Sequence, residues 1–368
     1  MSKLIPVVAL LTTAAAEPAA SRDTGPAAAR IQAEMDRRMP TIVREEHIGG
    51  IGIAVIRNGR IVWTGHYGNQ SPGVPITNST AFNTASIAKT VTAETLLALA
   101  EARRIDLDEP IATYVRSPGL DTDPRYRKLT TRILLSHRSG LRNWPDDYPD
   151  GKLAFESEPG KRYGYSGAGI ELAARYAEAK TGKRQRQLAA ETLLRPWRIN
   201  QMAIGELPAW TTDRLALPVD AQGKYLDVAT VYPGLRQGSG IGAAYDLIAT
   251  TSAYGAFLER LIAASRRPTP SRAARETILT PLAGDERYGC VSFAIRADAP
   301  TATATPLDGR CVAMASTRSY NTPATMKGRP TSSTFRQIVA PALRFSSTVP
   351  MARPQLSGRW RSSVTNPR

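Results

Sequence analysis

The sequence is poor in the residues that usually bind transition metals. It contains three histidines and two cysteines in 368 residues, and none of them has the spacing of a zinc site. We therefore expect neither a metal nor another cofactor. Long apolar runs are also lacking, because the clearest one, 4–16, is shorter than the about 20 residues that a membrane-spanning helix needs. A stable membrane span is not expected.

The apolar run 4–16 has the pattern of an export signal. It follows a short, weakly positive start, and small residues at 14–16 precede Glu17-Pro18, as cleavage by signal peptidase requires. This pattern predicts a signal peptide at 1–16 and a mature protein that is secreted or periplasmic. A frayed N-terminus is the alternative. The Ala/Pro/Ser-rich stretch that follows predicts a linker at 17–29.

The net charge of +16 would ordinarily suggest nucleic acid as a partner, but its distribution argues against this. Residues 288–368 carry eleven Lys or Arg against Asp298 and Asp308, a net of +9. These charges are spread out, and few aromatic residues lie among them. We therefore expect no nucleic-acid partner and interpret 346–368 as a basic, disordered tail.

Both cysteines, Cys290 and Cys311, lie in this basic region, 21 residues apart. In an exported protein they could form a disulfide that closes a hairpin-sized loop. Two free buried thiols fit the sequence equally well.

Local patterns predict strands at both ends of the chain and helices in its middle. Helical stretches are expected at 31–43, from Ser86 onward and at 241–264, and strands at 51–56, 61–64, 288–295 and 311–314. The first two strands form a hairpin through Asn58-Gly59. This arrangement favours an α+β fold, in which an antiparallel sheet flanked by helices carries a mostly helical insertion at about 108–235.

The tetrapeptide Ser86-Ile87-Ala88-Lys89 has the residues for nucleophilic catalysis. A serine hydroxyl needs a neighbouring base, and residues three apart on a helix share a face, so the Lys89 amine would meet the Ser86 hydroxyl. To accept the proton the lysine must be neutral, which burial favours. The alternative is an N-capping serine beside a surface lysine.

Four blocks in order resemble the class C β-lactamase-like serine hydrolases, a family of β-lactamases, D,D-peptidases, D-aminopeptidases and esterases. The blocks are 82–93 around the tetrapeptide; 129–141, similar to T-x-x-x-L-L-x-H-x-S-G-L; 158–169, similar to P-G-x-x-x-x-Y-S-N-x-G; and 237–247, similar to a Gly-rich turn before an Asp-Leu helix. The resemblance covers about 31–261 and implies a serine β-lactamase-like hydrolase domain at 30–345.

The resemblance implies a role for each matching residue. Ser86 would be acylated, Lys89 would be its base, and Tyr165 would relay protons to the leaving group. His137 would be structural, and the absence of a Gly-x-Ser-x-Gly elbow argues against a Ser-His-Asp hydrolase. Gly167, a candidate substrate-binding position, stands where the family most often has an asparagine. The change leaves room but removes a polar anchor, which favours esters or small amides over β-lactams.

The family's third motif, His-x-Gly or Lys-Thr-Gly, is missing. No histidine follows His137, and the only lysine after Lys224 is Lys327, which runs directly into a glycine. Arg310, in the Asp-Gly-Arg segment after the 288–295 strand, is the best candidate to supply the positive group for the substrate. A diverged C-terminus and a frameshift in the gene are both open explanations.

Two functions therefore stay open. The first is a secreted serine hydrolase that forms an acyl-enzyme on a small-molecule ester, amide or β-lactam. The second is a catalytically weakened or inactive sensor on the same fold, which would bind peptidoglycan fragments.

Overall fold

Helices and strands come in groups along the part of the chain that the structure, a computed structural model, describes: residues 25–227, 242–265, 269–279 and 310–316. All of these residues belong to one compact unit, 1–338. None of them belongs to the second unit, 339–368. The helices are α1 (Pro26–Glu45), α2 (Ala88–Glu101), α3 (Thr131–Leu135), α4 (Gly167–Thr181), α5 (Gln185–Ala189), α6 (Thr251–Ser265) and α7 (Pro270–Leu279). The strands are β1 (Gly50–Arg57), β2 (Arg60–Ser71), β3 (Val74–Pro75), β4 (Ala81–Asn83), β5 (Met202–Ile204), β6 (Leu247–Thr250) and β7 (Arg310–Ser316).

The first sheet is antiparallel, with strand order β3-β2-β1-β7. Asn58 and Gly59 have φ angles of 52° and 74° and join β1 to β2 in the tight turn that the Asn-Gly pair predicts. The edge of β1 that does not face β2 pairs with β7, so that Ile51 lies opposite Ser316. The predicted hairpin and the strand near 311–314 are confirmed. The strand predicted at 288–295 lies outside the described residues.

The second sheet has the order β4-β6-β5 and corrects one prediction. The helix expected over 241–264 begins only at Thr251, because Leu247–Thr250 is the central strand of this sheet. All four of these residues are buried between β4 and β5. So short an apolar run has no periodicity that distinguishes a strand from a helix, and the two flanking strands decide the outcome. The Asp-Leu pair at 246–247 therefore opens a strand.

Helices α4, α5 and α7 pack against α2, which is buried along most of its length. One apolar cluster joins α2 to α3 and α4, with Leu96, Leu134 and Ile170 fully buried. A second cluster joins α2 to β6 and α6, through Val91, Leu247 and similar residues. The α+β fold with helices beside antiparallel sheets is confirmed, and α2 is placed at its centre.

The N-terminal helix begins earlier than the sequence suggested. The periodicity at 31–43 is confirmed, but α1 starts at Pro26, so the last residues of the predicted linker are helical. Proline is favoured at the first helical position, because its missing N–H would have no partner there. The predicted signal peptide and C-terminal tail lie outside the described residues. Among the helices that the structure describes, none is both long enough and apolar enough to cross a membrane.

Candidate active site

Ser86 lies in a tight helical turn, Ala85–Ile87, between β4 and α2. Pairing with β6 fixes β4, and the N–H of Ala85 donates a 2.8 Å hydrogen bond to Asn83 Oδ1. Ala85 has a φ of 45°, in the left-handed region that a non-glycine residue enters at a cost. This bend takes the chain from β4 into α2 and leaves Ser86 exposed to solvent.

Lys89 lies on the first turn of α2 and is only 3 % exposed. Its Nζ donates hydrogen bonds to Ser86 Oγ at 3.0 Å and to the carbonyl oxygen of Ala244 at 2.6 Å. The structure thus places the amine against the hydroxyl, as the helical spacing predicted, and not on the surface. Ala244, in the segment before β6, holds the amine from the other side.

Tyr165 approaches the same oxygen from the segment before α4. Its hydroxyl donates to Ser86 Oγ at 2.9 Å, and Lys89 Nζ lies 4.9 Å from the centre of its ring. Two groups that can donate or accept a proton therefore contact Ser86 Oγ: the Lys89 amine on α2 and the Tyr165 hydroxyl before α4. The three residues expected to carry the chemistry come together.

His137 supports this arrangement from behind. Its ring lies 4.6 Å from that of Tyr165, and its Nδ1 accepts the backbone N–H of Ser166 at 3.2 Å. Burial, followed by the charge of Lys89, lowers the pKa of His137 to about 3, so the ring is neutral at physiological pH. Ser166 in turn caps α4, because its hydroxyl accepts the N–H of Gly169 at 3.0 Å. His137 thus positions the tyrosine segment, in agreement with the structural role predicted for it.

The expectation that Gly167 leaves room in the site is wrong. A Cβ added at Gly167 would lie 2.5 Å from Cε2 of Trp144 and 2.7 Å from its Cη2, so the indole fills the space that an asparagine side chain would need. The N–H of Gly167 donates to Asn143 Oδ1 at 2.8 Å, and the ring of Trp144 meets Tyr245 edge-on. The sequence showed the missing amide but not the ring that replaces it, because the two are 23 positions apart.

Glu171 is a further buried residue next to this site that the sequence reasoning missed. Its Oε1 accepts the N–H of Ala244 at 2.8 Å, and Ala244 is the residue whose carbonyl holds Lys89. A signal was present, because Glu171 is the one acidic residue in the apolar first half of α4, between Ile170 and Leu172.

Arg310, proposed to bind substrate, begins β7, where its backbone pairs with Arg57 beside the hairpin turn. Its side chain lies outside what the structure describes, as do the side chain of Cys311 and the whole of Cys290. The substrate-binding role of Arg310 therefore stays a prediction. In the described ranges, no group of three or more His, Cys, Asp or Glu side chains is placed to hold a metal ion.

Relatives of this chain include a serine beta-lactamase-like protein and an esterase. The chain is 36% identical over 101 residues to the human serine beta-lactamase-like protein LACTB, mitochondrial, covering 27% of this chain and 18% of that protein. It is 31% identical over 139 residues to the esterase EstB of Burkholderia gladioli, covering 36% of this chain and 34% of that protein. The matched segments thus span about a third or less of these relatives' lengths.

Solved structures share the fold. The structure of the D-alanine carboxypeptidase AmpC from Burkholderia cenocepacia matches with a TM-score of 0.55 at 20% identity, over 68% of this chain and 69% of that one. A class C beta-lactamase matches with a TM-score of 0.55 at 19% identity, over 70% of each chain. The family model named Beta-lactamase matches residues 27–324, most of the sequence. The resemblance seen in the four sequence blocks is confirmed, and the chain belongs to the beta-lactamase family of serine hydrolases.

Proposed function

We propose that the protein is an exported serine hydrolase that forms an acyl-enzyme at Ser86 with small esters. The observation that carries the proposal is the position of Ser86 Oγ, 3.0 Å from Lys89 Nζ and 2.9 Å from the hydroxyl of Tyr165. An exposed hydroxyl with two proton-exchanging neighbours is what nucleophilic catalysis requires. Export is supported only by the sequence pattern of 1–16.

Acylation would begin with attack of Ser86 Oγ on the ester carbonyl carbon, while the hydroxyl proton passes to the neutral amine of Lys89. The hydroxyl of Tyr165 protonates the leaving alcohol and recovers its proton from Lys89. Water then attacks the acyl-enzyme, the same two groups return the proton to Ser86, and a carboxylic acid is released. The exposure of Ser86 admits the substrate, whereas the burial of Lys89 favours its neutral form.

The preference for esters is supported by the surroundings of Gly167. No side-chain amide extends from this position to bind an acylamino group, and Trp144 occupies the space where one would lie. An ester with a short acyl chain needs no such anchor. The relative named as an esterase supports the same substrate class.

The proposal is tested by intact-mass spectrometry after incubation with a fluorophosphonate, p-nitrophenyl acetate or benzylpenicillin. We expect fluorophosphonate labelling at Ser86, turnover of the ester, and no lasting penicillin adduct. Ser86→Ala should abolish labelling and reduce ester turnover by several orders of magnitude. Ser79→Ala is the matched control and should behave as wild type. It removes a serine hydroxyl whose hydrogen bond, to the hydroxyl of Thr77, lies at the protein surface. Labelling of Ser86→Ala would contradict the proposal.

The second candidate is a binding protein without catalysis. The missing His-x-Gly or Lys-Thr-Gly motif favours it. In the family this motif contacts the substrate, and a backbone N–H just beyond it donates a hydrogen bond to the oxyanion that forms during acylation. Loss of one such donor costs about 10²–10³ in rate, which slows turnover without abolishing it. Under this alternative the wild type would not be labelled, yet calorimetry would detect binding of a peptidoglycan fragment.

A further inference from the structure

A buried carboxyl group, Glu171, lies behind Lys89, and a second, Asp246, lies near Glu171; neither has a part in the acylation steps above. Glu171 is 7 % exposed and Asp246 is 1 % exposed. Burial raises the pKa of Glu171 to about 7. The pKa of Asp246 is raised by burial and by the charge of Glu171. A buried acid that interacts with the charge of Lys89 calls for an explanation in terms of that lysine.

A chain of hydrogen bonds connects Glu171 to the nucleophile. The carboxylate accepts the N–H of Ala244 at 2.8 Å, the carbonyl of Ala244 accepts from Lys89 at 2.6 Å, and Lys89 donates to Ser86 at 3.0 Å. The N–H of Gly242 donates to the same carboxylate. The position of the lysine amine thus depends on a backbone segment that Glu171 holds.

We propose that Glu171 is a positioning residue for acylation, which holds Lys89 against Ser86 through Ala244 and whose charge sets the pH range in which Lys89 acts as a base. This inference rests on the proposed acyl-enzyme chemistry. It concerns a residue that does not touch the substrate and acts only through its neighbours.

The charges around Glu171 determine the direction of the effect. Lys89 on α2 and Arg175 on α4 favour its ionised form, whereas burial favours the neutral acid. Asp246 and Tyr245, in the segment before β6, are the acidic groups that face it. An ionised Glu171 stabilises the ammonium form of Lys89, so that the neutral amine forms only at higher pH. Removing the charge should therefore extend activity to lower pH.

Two substitutions separate the charge from the hydrogen bond. Glu171→Gln keeps an oxygen that accepts the N–H of Ala244 but removes the charge. Glu171→Leu removes both and leaves that N–H buried without its partner, which loosens the carbonyl that holds Lys89. Glu178→Gln is the matched control, because Glu178 lies two turns further along α4 and its Oε1 accepts the N–H of Gln185 at 2.8 Å.

The experiment measures kcat and KM for p-nitrophenyl acetate between about pH 5 and pH 10, per site that a fluorophosphonate can label. Glu171→Gln should shift the ascending limb of kcat/KM down by about half a pH unit or more, with the plateau within about threefold of wild type. Glu171→Leu should lower kcat about 10–100-fold at every pH with a smaller change in KM. Glu178→Gln should match wild type.

A wild type that is labelled, with a pH profile that Glu171→Gln does not shift, would overturn the inference and leave the proposed function standing. A wild type that is not labelled at Ser86 would overturn both. If Glu171→Leu does not fold, as judged by circular dichroism, Glu171→Gln alone decides the outcome.

Discussion

The contact between Trp144 and Gly167 makes a quantitative prediction about why the site lacks a side-chain amide. In Gly167→Ala the new Cβ would lie 2.5 Å from Cε2 and 2.7 Å from Cη2 of the indole, closer than real Cβ contacts. The ring cannot withdraw freely, because it also packs against Tyr245 in a T-shaped contact with 5.5 Å between ring centres. Overpacking of this kind destabilises a protein by about 1–3 kcal/mol.

The assay is a double-mutant cycle with Trp144→Ala, followed by urea unfolding monitored by circular dichroism. Trp144→Ala alone should also destabilise, because the half-buried ring loses its contacts. In the double variant the clash is absent. Its loss of unfolding free energy should therefore be smaller than the sum of the two single-variant losses, by about 1–2 kcal/mol. Any gain in helix propensity from alanine, up to about 1 kcal/mol, is common to both backgrounds and cancels.

The result that would refute this reasoning is additivity within about 0.3 kcal/mol, since the ring would then not occupy the space beside Gly167. A functional readout follows from the same cycle. Gly167→Asn combined with Trp144→Ala should gain a penicillin adduct at Ser86, whereas Gly167→Asn alone should not.

Two further predictions concern buried charge. Glu94 and Arg275 form an ion pair with both side chains 6% exposed, so Glu94→Gln should reduce the free energy of unfolding by about 3–5 kcal/mol, measured with urea. Its control, Glu158→Gln, breaks the exposed pair with Lys128 and should cost less than about 1 kcal/mol; equal losses would contradict the prediction. Because the pKa of His137 is lowered to about 3, the unfolded chain binds a proton that the folded chain does not, and stability is lost as pH falls from about 6.5 towards 3. Between pH 7 and pH 5 the wild type should lose about 2 kcal/mol more than His137→Asn, and an equal loss in both would refute this assignment.

Local features of the site were predictable from the sequence. Ser86 and Lys89 are three residues apart on one helix, so their contact follows from helical geometry alone. Tyr165 could be placed opposite them only because its surrounding block resembles a known family. The hairpin through Asn58-Gly59 followed from turn chemistry.

Features that depend on residues distant in the sequence were not predictable. Trp144 fills the space beside Gly167, and Ala244 holds Lys89 across 155 positions. The segment Leu247–Thr250 becomes a strand because β4 and β5 lie on either side of it. The local sequence of each segment does not identify its distant partner, so these three contacts are seen only in the folded chain.

The pairing of β7 with β1 has a consequence for how the chain folds. The two strands are adjacent in the sheet but lie about 250 residues apart in sequence, a contact of very high order. Until Arg310–Ser316 has been synthesised, one edge of β1 has unpaired N–H and C=O groups, and such an edge favours aggregation. The first sheet is therefore completed only after most of the chain has been made, and truncation before Arg310 should yield aggregates instead of a smaller enzyme.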